Sequence, residues 1–128
     1  KGTGMEGAGS VTTQSTVLNN TQLSFKTRFA DGIGTNPEEL IAAAHSGCFT
    51  MQLSFLISEK GFTPEDLTTE AQVTFEDGTI TKIHLKLEAN VPGMTDQDFQ
   101  ETAAKAKEIC PVSKVLNAEK TLSATLIA

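Results

Sequence analysis

Two cysteines, Cys48 and Cys110, are the residues of this chain best suited to covalent chemistry, and they stand 62 positions apart. A sulfenic acid formed on one cysteine condenses with a thiol on another, so a pair permits redox cycling; separation in sequence neither supports nor excludes their meeting. Cys48 falls in a long uncharged stretch, with Ala44 and His45 one helical turn before it and Met51 and Gln52 one turn after. Taken alone it reads as a buried, inert thiol with its pKa raised by desolvation, since free cysteine is among the most buried residue types. Cys110 directly precedes Pro111, which places it at the N-terminal end of a short helix, where unpaired N–H groups favour a thiolate. Its plainer reading is a small residue at a helix junction.

Two charged residues could tune such a thiol. Arg28, the one arginine among ten basic residues, closes a strand on the face opposite Phe25 and Phe29. Its planar fork of donors can hold a carboxylate bidentately and leave positive charge for a thiolate; the alternative is a solvated strand-end charge. Glu38, in the first turn of the following helix, is the natural partner for Arg28, although an acid there is also favoured by the helix dipole alone. Ten residues of unbroken helix put Glu38 roughly 15 Å from Cys48 along the axis, so both serve one site only if the helix bends near Gly47 or a second subunit contributes. His45, Cys48 and Cys110 form a competing set, a zinc site in a non-enzymatic thiol or metal-binding module, but they lack the tightly spaced ligand pairs of structural zinc sites. A Cys–His catalytic pair lacks a third, orienting group. Gly32-Ile33-Gly34 lacks the third glycine and the strand context of a dinucleotide-binding turn.

The chain of 128 residues is sized for a single domain over 1–128. With 38% hydrophobic residues, 20% charged and 4 Pro, it belongs with globular rather than disordered sequences. A net charge of −6, no Trp and no Tyr leave neither the positive field nor the stacking platform that nucleic acid requires. Two cysteines in a chain without a secretory pattern point to reduced thiols and the cytoplasm.

Local patterns set out the elements that must position these residues. After a glycine-rich lead-in, Ser10 to Leu18 reads as a strand, Asn19-Asn20 as a turn, and Thr21 to Phe29 as a second, alternating strand. Asn36 is an N-cap, Pro37 the first helical residue, and Glu39 the closing member of a capping box. The helix runs to about Lys60. Its uncharged run from Leu40 to Ser58 is long enough to raise the question of a membrane span, but His45, Ser46, Thr50, Gln52 and Ser54 interrupt it and no polybasic anchor flanks it. A buried central helix, apolar around most of its circumference, needs cover on more than one side, which points to a dimer. Leu67 to Phe75, a turn at Asp77-Gly78, and Ile83 to Val91 form a hairpin with His84 on its polar face. Thr95 caps a helix over Asp96 to about Glu108, Pro111 opens a short third helix, and Leu122 to Leu126 closes with a strand. The order ββαββααβ, with hairpins interleaved among helices, predicts an α+β domain with a mainly antiparallel sheet packed around the long helix, not βαβ crossovers.

Three segments carry a resemblance: Thr35-Asn36-Pro37-Glu38-Glu39-Leu40, Ala42-Ala43-Ala44-His45-Ser46-Gly47-Cys48-Phe49, and Cys110-Pro111-Val112-Ser113-Lys114-Val115-Leu116. With Lys26-Thr27-Arg28-Phe29 and Gly61-Phe62-Thr63-Pro64, they resemble the signature segments of the OsmC/Ohr family of bacterial hydroperoxide-detoxifying proteins. They are closer to the OsmC (osmotically inducible protein C) subgroup, since Ohr members usually carry tyrosine in place of His45 and a different tail after the second Cys-Pro. The resemblance implies a thiol-dependent peroxidase of oxidative and osmotic stress defence, reducing organic hydroperoxides to alcohols on an intertwined homodimer with sites at the subunit interface. It also implies roles: Cys48 as the peroxidatic cysteine, Cys110 as the resolving cysteine, Arg28 as the guanidinium beside them and Glu38 as its carboxylate partner. No metal and no bound organic cofactor are implied; an external dithiol of lipoyl type regenerates the thiols. An apolar lining from Phe49 and Met51 would suit greasy peroxides. The family further leads one to expect a short strand before Lys1, the region in which Ohr members place their arginine.

Overall fold

A computed structural model of the chain describes residues 1–4, 6–24 and 34–127. They fall into two compact units, Lys1–Ile41 and Ala42–Ala128, and among the described residues the elements follow the expected order ββαββααβ.

In the first unit, strands β1 (Gly9–Val11) and β2 (Thr21–Leu23) pair antiparallel, with Gly9 opposite Leu23 and Val11 opposite Thr21. The hairpin is as expected, but its first strand stops seven residues before Leu18. The cause is local hydrogen bonding: the Leu18 N–H donates to Thr13 Oγ1 at 3.2 Å, and the Asn20 N–H to Thr12 Oγ1 at 3.0 Å. Thr16 and Asn20 adopt left-handed φ of 66° and 52°. Threonine favours strands on propensity, yet its hydroxyl also offers the backbone partners outside a ladder, and here that competition wins. The outer part of the second expected strand, Arg28 included, lies outside the described residues. Gly34 has φ of 126°, and a Cβ there would lie 2.5 Å from the Gln22 carbonyl oxygen, so the position admits only glycine.

Helix α1 spans Pro37–Glu59. Asn36 caps it, its Oδ1 accepting from the Glu39 N–H at 2.8 Å. The Glu39 carboxylate, expected to reach the cap residue's own N–H, accepts the Thr35 hydroxyl at 2.6 Å. Glycine at position 61, with φ of 90°, ends the helix as expected.

In the second unit, β3 (Asp66–Glu76) and β4 (Thr79–Asn90) form the hairpin that Asp77-Gly78 announces. Both turn residues have positive φ, 49° and 77°, the geometry that twists with the strands. Helix α2 (Asp96–Ile109) starts at Thr95, whose Oγ1 accepts from the Asp98 N–H at 3.2 Å. Helix α3 (Pro111–Val115) follows, then β5 (Glu119–Leu126). The sheet order is β3-β4-β5, and β5 runs parallel to β4, with Lys82 opposite Glu119 and Ala89 opposite Leu126. One crossover through α2 and α3 therefore corrects the expectation that none would occur. Alternation along Leu122, Ala124 and Leu126 identifies a strand but is blind to its direction. The 14 residues of α2 carry the chain about 21 Å back along the sheet, so it re-enters where β4 began. On the polar face His84 is held at both ring nitrogens, by Thr121 Oγ1 at 2.7 Å and Ser123 Oγ at 3.1 Å.

The core lies between the sheet and the helices. Leu85, Leu87 and Ala89 of β4 pack with Phe49, Leu53, Leu56 and Ile57 of α1 and with Phe99, Ala103 and Ala106 of α2. By length and composition α1 would qualify to cross a membrane. Among the described residues one stripe of it, His45, Phe49, Leu53, Leu56 and Ile57, is buried. Met51 and Phe55, on the opposite face, are 66% and 67% exposed. Phe49 thus belongs to the core and not to a substrate-facing lining.

Candidate functional site

Cys48 is carried by α1 at the margin of its buried stripe, beside Phe49, and is half-buried. Cys110 is fully buried and sits at the joint between α2 and α3. Its N–H donates to the Ala106 carbonyl at 3.0 Å and its carbonyl accepts from the Lys114 N–H at 3.1 Å, so one residue closes α2 and opens α3. Pro111 at the first position of α3 lacks the N–H that would be unpaired there. Both cysteines are free thiols.

The two meet despite their distance in sequence. The Cys48 and Cys110 side chains lie near enough to influence one another, both packing into the same core, and the Val112 N–H lies near the Cys48 sulfur. Burial, first, and the Cys110 thiol, second, push the Cys48 pKa up from its ordinary value, while the Val112 N–H works against them. The raised pKa expected for a buried thiol is therefore present, but the thiol is not isolated: a second sulfur and one N–H donor address it. The helix N-terminus expected to act on Cys110 itself directs the Val112 N–H toward Cys48.

His45, one turn before Cys48, is completely buried, and its Nε2 lies 2.6 Å from Ser113 Oγ on α3. Among the described residues its Nδ1 has no hydrogen-bond partner. Burial, and secondarily the positive charge of Lys120, lower its pKa, so the ring is neutral at pH 7. The unfolded chain takes up a proton at this imidazole as pH falls through its ordinary value near 6.5, while the folded chain resists. Stability is therefore expected to fall with pH below 6.5, and thermal unfolding of His45→Gln between pH 7 and pH 5 should show a shallower loss. Equal slopes for both proteins would contradict a buried neutral His45.

Glu38 stands half-buried in the first turn of α1, and the helix continues through Gly47 without a break. Arg28 lies outside the described residues. Among the described residues no group of three or more His, Cys, Asp or Glu side chains is arranged to hold a metal ion. The alternative zinc set of His45, Cys48 and Cys110 is thus not formed there, because His45 Nε2 faces Ser113. Sequence reasoning missed Ser113 and Val112, although the signal was present: proline after a cysteine starts a helix, and positions two and three beyond the cysteine then point back toward its neighbours.

The family model described as OsmC-like protein matches residues 30–125. Peroxiredoxin OsmC of Escherichia coli is 50% identical over 120 residues, covering 91% of this chain and 84% of that protein. An organic hydroperoxide resistance protein of Xanthomonas axonopodis is 31% identical over 101 residues, covering 76% of this chain and 70% of its own length. Among solved structures, an organic hydroperoxide resistance protein from Elizabethkingia anophelis superposes with a TM-score of 0.73 at 28% identity, covering 98% of this chain and 92% of that one.

Proposed function

Because the chain belongs to the OsmC-like protein family, we propose that it is a thiol-dependent peroxidase that reduces organic hydroperoxides to alcohols. The observation that carries this reading is the pair of free thiols brought close together in one core, one half-buried and the other fully buried. The Cys48 thiolate attacks the terminal oxygen of the peroxide, the O–O bond breaks, and the alkoxide leaves and takes up a proton as the alcohol. Cys48 is left as a sulfenic acid. The Cys110 thiol displaces its hydroxyl as water, forming the Cys48–Cys110 disulfide. An external dithiol, of the lipoyl type by family resemblance, reduces that disulfide by exchange and is itself oxidised. The sequence requires no bound cofactor and suits the bacterial cytoplasm, where dithiol pools keep cysteines reduced.

Within its described surroundings the Cys48 thiol is held protonated at neutral pH, so activation calls for a positive charge. Arg28 is the residue proposed for it, with Glu38 holding the guanidinium in place. Alkylation of Cys48 in Arg28→Ala is then expected to follow a pKa above that of an ordinary thiol, and in the unaltered protein one below it; identical profiles would remove Arg28 from the site.

The chain is further proposed to act as a homodimer, with the stripe of α1 that carries Met51 and Phe55 covered by a second copy. Supporting this, that exposed face is uncharged, which is costly for a surface left in water. Phe55→Glu is expected to shift the protein to monomer in sedimentation velocity, whereas a dimer of undiminished stability would place the interface elsewhere.

The test of the central reading is a free-thiol count on reduced protein before and after one equivalent of cumene hydroperoxide. Two thiols lost in the unaltered chain, and one lost as a sulfenic acid trapped by dimedone in Cys110→Ser, are expected. No thiol loss within minutes would sink it.

A further inference from the structure

We infer that the buried hydrogen bond between His45 and Ser113 is a latch that positions Cys110 for attack on oxidised Cys48. The inference rests on the proposed reading of Cys110 as the resolving thiol and goes beyond it, because neither latch residue takes part in the chemistry. His45 lies three residues before Cys48 on α1, and Ser113 three residues after Cys110 on α3, so the bond ties the two thiol-bearing segments one turn away from the sulfurs themselves.

The need for such a tie follows from the shortness of α3. Five residues make little more than one helical turn, which has no stability of its own in water. Of its residues Pro111 and Lys114 are exposed and Val115 is 77% exposed, Val112 packs half-buried against the core, and Ser113 is buried. The hydroxyl of Ser113 is thus the polar anchor of α3 in the interior, paired with a completely buried imidazole at 2.6 Å. That imidazole keeps Nδ1 without a partner among the described residues. A buried ring that satisfies only one nitrogen is a poor device for general stability, since a leucine or phenylalanine would fill the same space without a desolvated polar atom. What an apolar side chain could not do is set the register of α3 against α1 by a directed bond.

That register matters for the second chemical step more than for the first. Peroxide reaches Cys48 from solution, whereas Cys110 must approach the sulfur of the sulfenic acid along the line of the breaking S–O bond. Orientation of this kind supplies large effective concentrations that are lost with small displacements. His45 and Ser113 are positioning residues that act through Cys110, and their removal separates the two steps.

Rapid mixing of Ser113→Ala and His45→Phe with one equivalent of cumene hydroperoxide provides the test, with dimedone trapping and disulfide formation followed by mass spectrometry. Disulfide formation is expected to slow roughly tenfold or more, with first-step oxidation of Cys48 within about threefold of the unaltered protein. A dimedone adduct at Cys48, scarce in the unaltered protein, should accumulate, and His45→Gln, which keeps a hydrogen-bonding group, should recover part of the rate. Equal slowing of both steps, or disulfide formation at the unaltered rate, overturns the latch. A second arm needs no peroxide. Equilibration in glutathione redox buffers reads the effective concentration of the two thiols, which should fall by the same factor in Ser113→Ala; if it does not, the latch is overturned. If the unaltered protein fails to consume peroxide while this arm shows the fall, the peroxidase reading fails and the latch stands.

Discussion

Cys48→Ser is expected to reduce peroxide consumption to the background rate, a loss of roughly four orders of magnitude or more, because a serine hydroxyl does not ionise at neutral pH and oxygen is a poor nucleophile toward a peroxide bond. At about 1.4 kcal/mol per factor of ten, that corresponds to some 5 kcal/mol of lost transition-state stabilisation. Cys110 does not compensate, since its side chain is fully buried. Steady-state peroxide consumption with excess dithiol is the measurement, and Cys110→Ser without dithiol is its partner: that variant should consume one equivalent of peroxide and stop at the sulfenic acid. A Cys48→Ser protein that retains more than about a tenth of the activity would move the nucleophile to another residue.

Phe49→Ala carries the largest expected effect on stability. The ring is completely buried on the inner stripe of α1, between the sheet and α2. Truncating a buried phenylalanine removes its transfer free energy and leaves a cavity, together about 3–5 kcal/mol. Set against a total of about 5–15 kcal/mol for a domain of this kind, the loss is a large share of what holds the fold. Urea unfolding should show the midpoint falling with the slope unchanged, and the same experiment on Gln52→Ala, a half-buried neighbour outside the buried stripe, should show a change several times smaller. A loss below about 1 kcal/mol for Phe49→Ala would mean that α1 is held by something other than this stripe.

What could be read in the residues alone follows the reach of each signal. Helix starts are local, and Asn36-Pro37 and Thr95 were legible because one side chain and its neighbour three positions on decide them. Asp77-Gly78 was legible for the same reason, two residues needing positive φ between alternating strands. The loop after Val11 was not, since the threonines that favour a strand also supply its competitors. The direction of β5 was not, because pairing is decided by what lies between strands. The site divides along the same line: residue types singled out Cys48 and Cys110, family resemblance supplied their roles, and neither composition nor spacing held their contact. Ser113 escaped because a serine three positions past a cysteine has many uses, and only the buried imidazole facing it selects one.

The parallel pairing of β5 with β4 has a consequence for the order in which the molecule is made. The β3–β4 hairpin closes through two residues and forms early, from contacts already present when Asn90 has left the ribosome. Its third strand waits for a long loop to close, and both α2 and α3 lie inside that loop. Until α2 and α3 pack on α1, nothing fixes the distance between the thiols at positions 48 and 110, although both have been synthesised. A nascent chain thus meets oxidants with two independent cysteines, and the cooperating pair comes into being only when the segment carrying Cys110 has packed against α1.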